Sequence, residues 1–152
     1  MRIAGTGLEA VVAMIAANAA AQLVKFFRDW RKHGRPNLTL LVATGGMPSS
    51  HSATVAALTT SVGLVAGWTS PCFAVAFCFA GIVMYDAAGL RRAASEQARV
   101  LNEVVQELLS PHHHLNMRKL KEFLGHTPRE VLAGAVLGIA WSVGLHWLLR
   151  LV

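Results

Sequence analysis

The chain has 152 residues, of which 54% are hydrophobic and only 14% charged, with a formal net charge of +6. Soluble domains usually carry about a quarter charged residues, so this composition excludes an ordinary soluble globule and points to a bilayer. The basic excess sits in short segments beside apolar runs, not on a soluble face interleaved with aromatics, which excludes a nucleic-acid partner and assigns the charge to membrane topology.

The length suits one domain, residues 1–152. Four apolar runs, at about residues 8–27, 52–68, 71–90 and 131–149, each approach the length that crosses roughly 30 Å of hydrocarbon as a helix. They predict an all-α integral membrane bundle of about four spans. Arg28, Arg31, Lys32 and Arg35 follow the first run, Arg91 and Arg92 follow the third, and Arg118, Lys119 and Lys121 precede the fourth. All three clusters therefore fall on one side, which the positive-inside rule makes cytoplasmic. A cation that binds substrate would produce the same signal. Cys72 and Cys78 lie in an apolar setting and are too few for a disulfide framework or a metal site.

In chain order, Arg2 and the small-residue run Ala16 to Ala21 imitate a secretory signal, but Glu9 interrupts the apolar region. Asn18, Gln22 and Lys25 are spaced i, i+4, i+7 on one helix face. Polar groups within a span face the bundle or a wet cavity, which makes Lys25 a functional candidate; the competing reading is a lysine that snorkels to the headgroups. Residues 28–44 form a basic connection, and Leu38 to Thr44 is too short to span and reads as re-entrant or interfacial.

Next comes Gly45-Gly46-Met47-Pro48-Ser49-Ser50-His51-Ser52. Ser49 or Ser50 can cap the following helix, and Gly46 and Pro48 shape the approach. The exposed amides and the helix dipole favour an anion, with His51 in the first turn beside it.

Trp68-Thr69-Ser70-Pro71 is a tight turn that makes the second and third runs an antiparallel hairpin. The third run ends at Tyr85 and Asp86, followed by Gly89-Leu90-Arg91-Arg92; Asp86 either neutralises one of these arginines or holds it for a substrate anion. Residues 93–109 read as an amphipathic surface helix with Ala94, Ala98, Leu101, Val105 and Leu108 on one side. Ser110-Pro111-His112-His113-His114 is a breaker and a histidine run, read as a polar loop because consecutive imidazoles rarely converge on one ion.

Before the fourth run stands Gly125-His126-Thr127-Pro128-Arg129-Glu130. Thr127 and Glu130 have the spacing of a capping box, with Pro128 at the first helical position. That leaves His126 unexplained, and a carboxylate four residues on can orient an imidazole for nucleophilic attack. Gly134 and Gly138 form a small-residue ridge for close helix packing. His146 and Arg150, near the other end, read as interfacial.

His51 and His126 thus both fall at the cytoplasmic mouths of spans, where Lys25, Arg91 and Arg92 also arrive. Two histidines among cations suit phosphoryl transfer, one attacking phosphorus and the other protonating the leaving oxygen. At these residues the chain resembles the type-2 phosphatidic acid phosphatase superfamily, which also contains the vanadium haloperoxidases, and more closely its divergent bacterial and plant branch. Pro48-Ser49-Ser50-His51 is similar to that superfamily's Pro-Ser-Gly-His motif, and His126 to Glu130 with the helix after it is similar to its His-x-x-x-Asp motif. Gly45-Gly46-Met47 and Tyr85-Asp86-Ala87-Ala88-Gly89-Leu90-Arg91-Arg92, leading to Gln97 and Leu101-Asn102, resemble the divergent branch.

The resemblance implies His126 as nucleophile, Glu130 as its orienter and His51 as general acid, with Lys25, Ser49 and Ser50 binding phosphate. It implies metal-independent hydrolysis, with vanadate as a phosphate mimic and no cofactor. Ser50 stands in place of the usual glycine, Glu130 in place of aspartate, and Leu120 where an arginine is expected, a role open to Arg91 or Arg92. Arg35-Pro36 follows Lys25 by ten residues where the pattern has seven. The expected substrate is a lipid phosphate or isoprenyl (pyro)phosphate, the other partners membrane lipids, with a homo-oligomer left open. The competing reading is a non-catalytic membrane module that binds lipid phosphates or scaffolds other membrane proteins.

Overall fold

The structure is a computed structural model that describes residues 3–41, 46–88, 90–109 and 127–151, with backbone alone at 41, 90–96 and 107–109. Gly45, the run Ser110 to His114, the cations Arg118 to Lys121, Gly125 and His126 lie outside the described residues. Among the described residues, five helices, α1 (Gly7–His33), α2 (Ser50–Ala66), α3 (Pro71–Ala88), α4 (Leu90–Leu109) and α5 (Pro128–Leu151), and a 3-10 turn at Leu38–Leu41 make an all-α membrane bundle.

α1 is longer than its apolar run. It continues through Arg28 to His33 and stops at Gly34, whose φ of 70° turns its N–H back onto the Trp30 carbonyl at 2.8 Å. Arg31, Lys32 and His33 occupy the last turn, where the helix dipole favours cations. The first six residues of the basic segment expected to connect two spans, 28–33, are therefore the end of the first helix. Leu38–Leu41 forms one short turn, too short to cross anything.

α1, α3 and α5 are long and apolar enough to cross a membrane. The second expected span, α2, is not among them: it has 17 residues, and ten of these are buried. Its composition explains this, because Ala, Ser, Thr and Gly allow close approach on every side, and α2 becomes the axis against which α1, α3 and α5 pack. α3 shows the opposite pattern. It buries only Ala76, Ala80 and Ala87, while Val75, Phe77, Phe79 and Ile82 point outward as lipid-facing groups do.

The register follows from the contacts. Asn18 Nδ2 donates to Thr54 Oγ1 at 2.9 Å and Lys25 Nζ to Ser50 Oγ at 3.3 Å, so α1 runs antiparallel to α2. Gly134 packs on the Ser49 carbonyl and Gly138 on the Ala53 carbonyl, so α5 runs parallel to α2 at a separation that a Cβ at either glycine would forbid. The α2 to α3 hairpin is made by Gly67 at φ 93°, with Ser70 N donating to the Gly67 carbonyl at 3.2 Å and Ser70 Oγ capping α3 at Phe73 N. Trp68 folds back against Gly63.

α4 packs on α3 and buries Ala98 and Asn102, whereas Leu101 is 50% exposed. Its inner stripe, 98, 102 and 105, is rotated from the one that Leu101 and Leu108 suggest. Here a polar residue inside and a leucine outside suit a helix at the membrane surface.

At the end remote from Lys25, α1 and α5 are joined by a buried pair. His146 Nδ1 donates to Glu9 Oε1 at 2.5 Å, and Glu9 Oε2 accepts from Gly5 N at 2.7 Å. His146, read as interfacial, is buried: the antiparallel register of α1 and α5 turns it into the bundle, opposite Glu9.

Candidate functional site

Because α2 and α5 run parallel, their starts lie side by side at one end of the bundle. The backbone ties them together there, with Ser49 N donating to the Glu130 carbonyl at 3.0 Å. Each start is capped as its residues require. Ser49 is extended, at φ −68° and ψ 117°, and its Oγ accepts from Ser52 N at 3.3 Å and from Ser52 Oγ at 3.0 Å. Before it, Gly46 takes φ 79°, a conformation open to glycine, and Pro48 is buried behind a cis peptide bond. At α5 the capping box is complete, with Glu130 N donating to Thr127 Oγ1 at 3.4 Å and Thr127 N to Glu130 Oε2 at 3.0 Å.

Lys25 reaches this junction from α1. It is 6% exposed, and its ammonium meets the Ser50 hydroxyl with the Glu130 carboxylate as its opposite charge. Of the two readings of Lys25, the snorkelling one fails, since the side chain is directed into the bundle. His51, half-buried, follows Ser50 in the first turn of α2. The structure therefore brings Lys25, Ser49, Ser50 and Glu130 together, with His51 on the adjoining turn and Gly46 and Pro48 in the approach.

Lys25 and Glu130 open into a cavity of about 310 Å³ whose other lining residues include Gly46, Met47 and Leu40. One wall is the end of α1, from Arg28 and Asp29 to Lys32 and His33. Sequence reasoning assigned these cations to topology. The signal that could have placed them was their spacing: Lys25, Arg28 and Lys32 stand at i, i+3 and i+7 on one helix face.

The remaining candidates are placed less closely. Asp86 is half-buried in the last turn of α3, outside this lining. Arg91 and Arg92 lie in the first turn of α4. α3 is antiparallel to α2, so this turn is at the same end of the bundle as Lys25. The sequence also gave no sign that Glu9 and His146, 137 residues apart, would meet.

Chemically, two parallel helix starts direct amides and the positive ends of two dipoles toward one end, next to a buried ammonium and two serine hydroxyls. Such an arrangement favours an anion. Among known proteins, the family described as the divergent PAP2 family matches residues 8–141. An uncharacterized membrane protein of Bacillus subtilis (strain 168), YuiD, is 40% identical over 147 residues, covering 90% of this chain and 93% of that protein. No solved structure matches the chain. The family match spans both capped helix starts as well as Lys25, and the chain belongs to the divergent PAP2 family.

Proposed function

We propose that the protein is a multi-pass membrane phosphatase that hydrolyses a lipid phosphate or isoprenyl (pyro)phosphate, with its site on the cytoplasmic side. The observation that carries this reading is the convergence of Lys25, Ser49, Ser50 and Glu130 where α2 and α5 begin together. Lys25, the serine hydroxyls and the helix-start amides hold the phosphate oxygens, and Arg91 or Arg92 adds a cation from the start of α4. An imidazole nitrogen of His126 attacks phosphorus, forming a P–N bond as the P–O bond to the lipid breaks, and His51 gives its proton to the leaving oxygen. Water then attacks the phosphohistidine, His51 takes back a proton, and phosphate and free His126 are released. Glu130 orients His126 while its Oε2 caps α5.

The test is phosphate release from a lipid phosphate or prenyl diphosphate by the purified protein in EDTA. Wild type releases phosphate and His126→Ala does not; full activity in that variant overturns the mechanism. A His51→Ala enzyme slows most on substrates whose leaving oxygen needs a proton. Vanadate, a mimic of the transferred phosphoryl group, raises the thermal midpoint of wild type.

A further inference from the structure

We infer that the end of α1 forms a second anion subsite, Arg28 and Lys32, one step above Lys25, and that it selects a diphosphate over a monophosphate. This rests on the phosphatase reading for the identity of the lower subsite. Lys25 is level with the starts of α2 and α5, through Ser50 and Glu130. α1 does not stop there but projects eight residues further, to His33, past both helix starts. This overhang is the wall of the cavity that Lys25 opens into.

On that wall, Arg28 is one turn from Lys25 and Lys32 two turns, a rise of about 4.5 and 10 Å. A phosphoryl group held by Lys25 and the serines would therefore have Arg28 beside its next neighbour along a diphosphate, with Lys32 above. The local charges favour this. Of the two acids among the described residues that line the cavity, Glu130 faces Lys25, and Asp29 is engaged by His33 of its own helix at 2.9 Å. Among the described residues, the guanidinium and the outer ammonium thus have no further acid in the cavity lining to neutralise them. A planar guanidinium donor fork suits phosphate oxygens, which topology alone does not require. The recognised group is the pyrophosphoryl unit itself, whether lipid-linked or free.

The experiment measures kcat/KM of wild type and of the double variant Arg28→Gln, Lys32→Gln with a prenyl diphosphate and the matching prenyl monophosphate. Both side chains are exposed, and the melting curve in detergent checks that the variant is folded. The expected result is a fall of about tenfold or more in the ratio of diphosphate to monophosphate kcat/KM. An equal fall with both substrates, or none, overturns the subsite.

A second arm measures thermal protection by methylenediphosphonate and by orthophosphate, and needs no turnover. There the variant loses the extra protection given by the diphosphonate; unchanged preference overturns the proposal even if the protein proves inactive. Absence of hydrolysis with the diphosphonate preference intact sinks the phosphatase reading alone. Inorganic pyrophosphate, run beside the prenyl diphosphate, separates the sources: protection by both assigns recognition to the pyrophosphoryl unit, and protection by the prenyl ester alone to a lipid-linked one.

Discussion

At Gly134 and Gly138 a hydrogen in place of a methyl group decides the geometry of the bundle. A Cβ at position 134 would meet the Ser49 carbonyl, and one at 138 the Ala53 carbonyl. Neither neighbour can rotate away, because both are backbone. Gly134→Ala should separate the starts of α2 and α5, weaken the Ser49 to Glu130 hydrogen bond and cost about 1–3 kcal/mol, read as a lower melting temperature in detergent. The same substitution at Gly144, which has nothing within 4 Å, should leave that temperature unchanged or raise it slightly. Thr127→Ala removes one half of the capping box and should cost about 1 kcal/mol, and it also frees the Glu130 carboxylate to move. Lys25→Met keeps the length of the side chain and removes its charge. On the phosphatase reading it should lower phosphate release far more than it lowers the melting temperature, since a buried ammonium costs solvation that a methionine does not.

Among the helices, the least expected join is between the first turn of α1 and the last turns of α5. Glu9 has both oxygens engaged, by His146 and by the Gly5 amide. Glu9→Leu leaves a buried imidazole donor without its acceptor and should cost about 1–3 kcal/mol in thermal denaturation. Combining Glu9→Leu with His146→Leu should recover part of that loss, because the imidazole no longer needs an acceptor and only the Gly5 amide loses its partner. This join also shows where sequence reading stops. The local signals are strong for a helix start: Ser49, Thr127, Pro128 and Glu130 announce both caps without any tertiary information. Apolar length likewise announces α1, α3 and α5. The pairing of Glu9 with His146 depends on the relative direction and register of two helices at opposite ends of the chain, which no local pattern encodes. The end of α1 is hidden from a local pattern for a related reason. Arg28, Lys32 and His33 end the apolar run but not the helix, since helices continue through charged residues until a residue such as Gly34 stops them.

For the molecule as a whole, the parallel packing of α2 and α5 against an antiparallel α1 makes the two ends of the bundle unlike. One end gathers two helix starts, Lys25 and the cation-rich wall; the other holds the buried Glu9 and His146 pair. Phe26, Phe27 and Trp30 cluster on α1 near the first end, and Trp30 is 43% exposed. Trp147 projects from α5 next to His146 at the second end, 65% exposed. Tryptophans of this kind settle at the two boundaries of a bilayer. Since His146 is opposite Glu9, the interval between them is the length of α1 from about residue 8 to residue 30, roughly 33 Å at 1.5 Å per residue, close to the thickness of the hydrocarbon core. With Trp30 at such a boundary, Lys25 would lie roughly 7.5 Å below it, just beneath the headgroups. A lipid phosphate would have to sink only by that depth to meet it, while its chains stay among their neighbours in the same leaflet. The overhang of α1 would then stand among the headgroups as a post that an arriving lipid slides along.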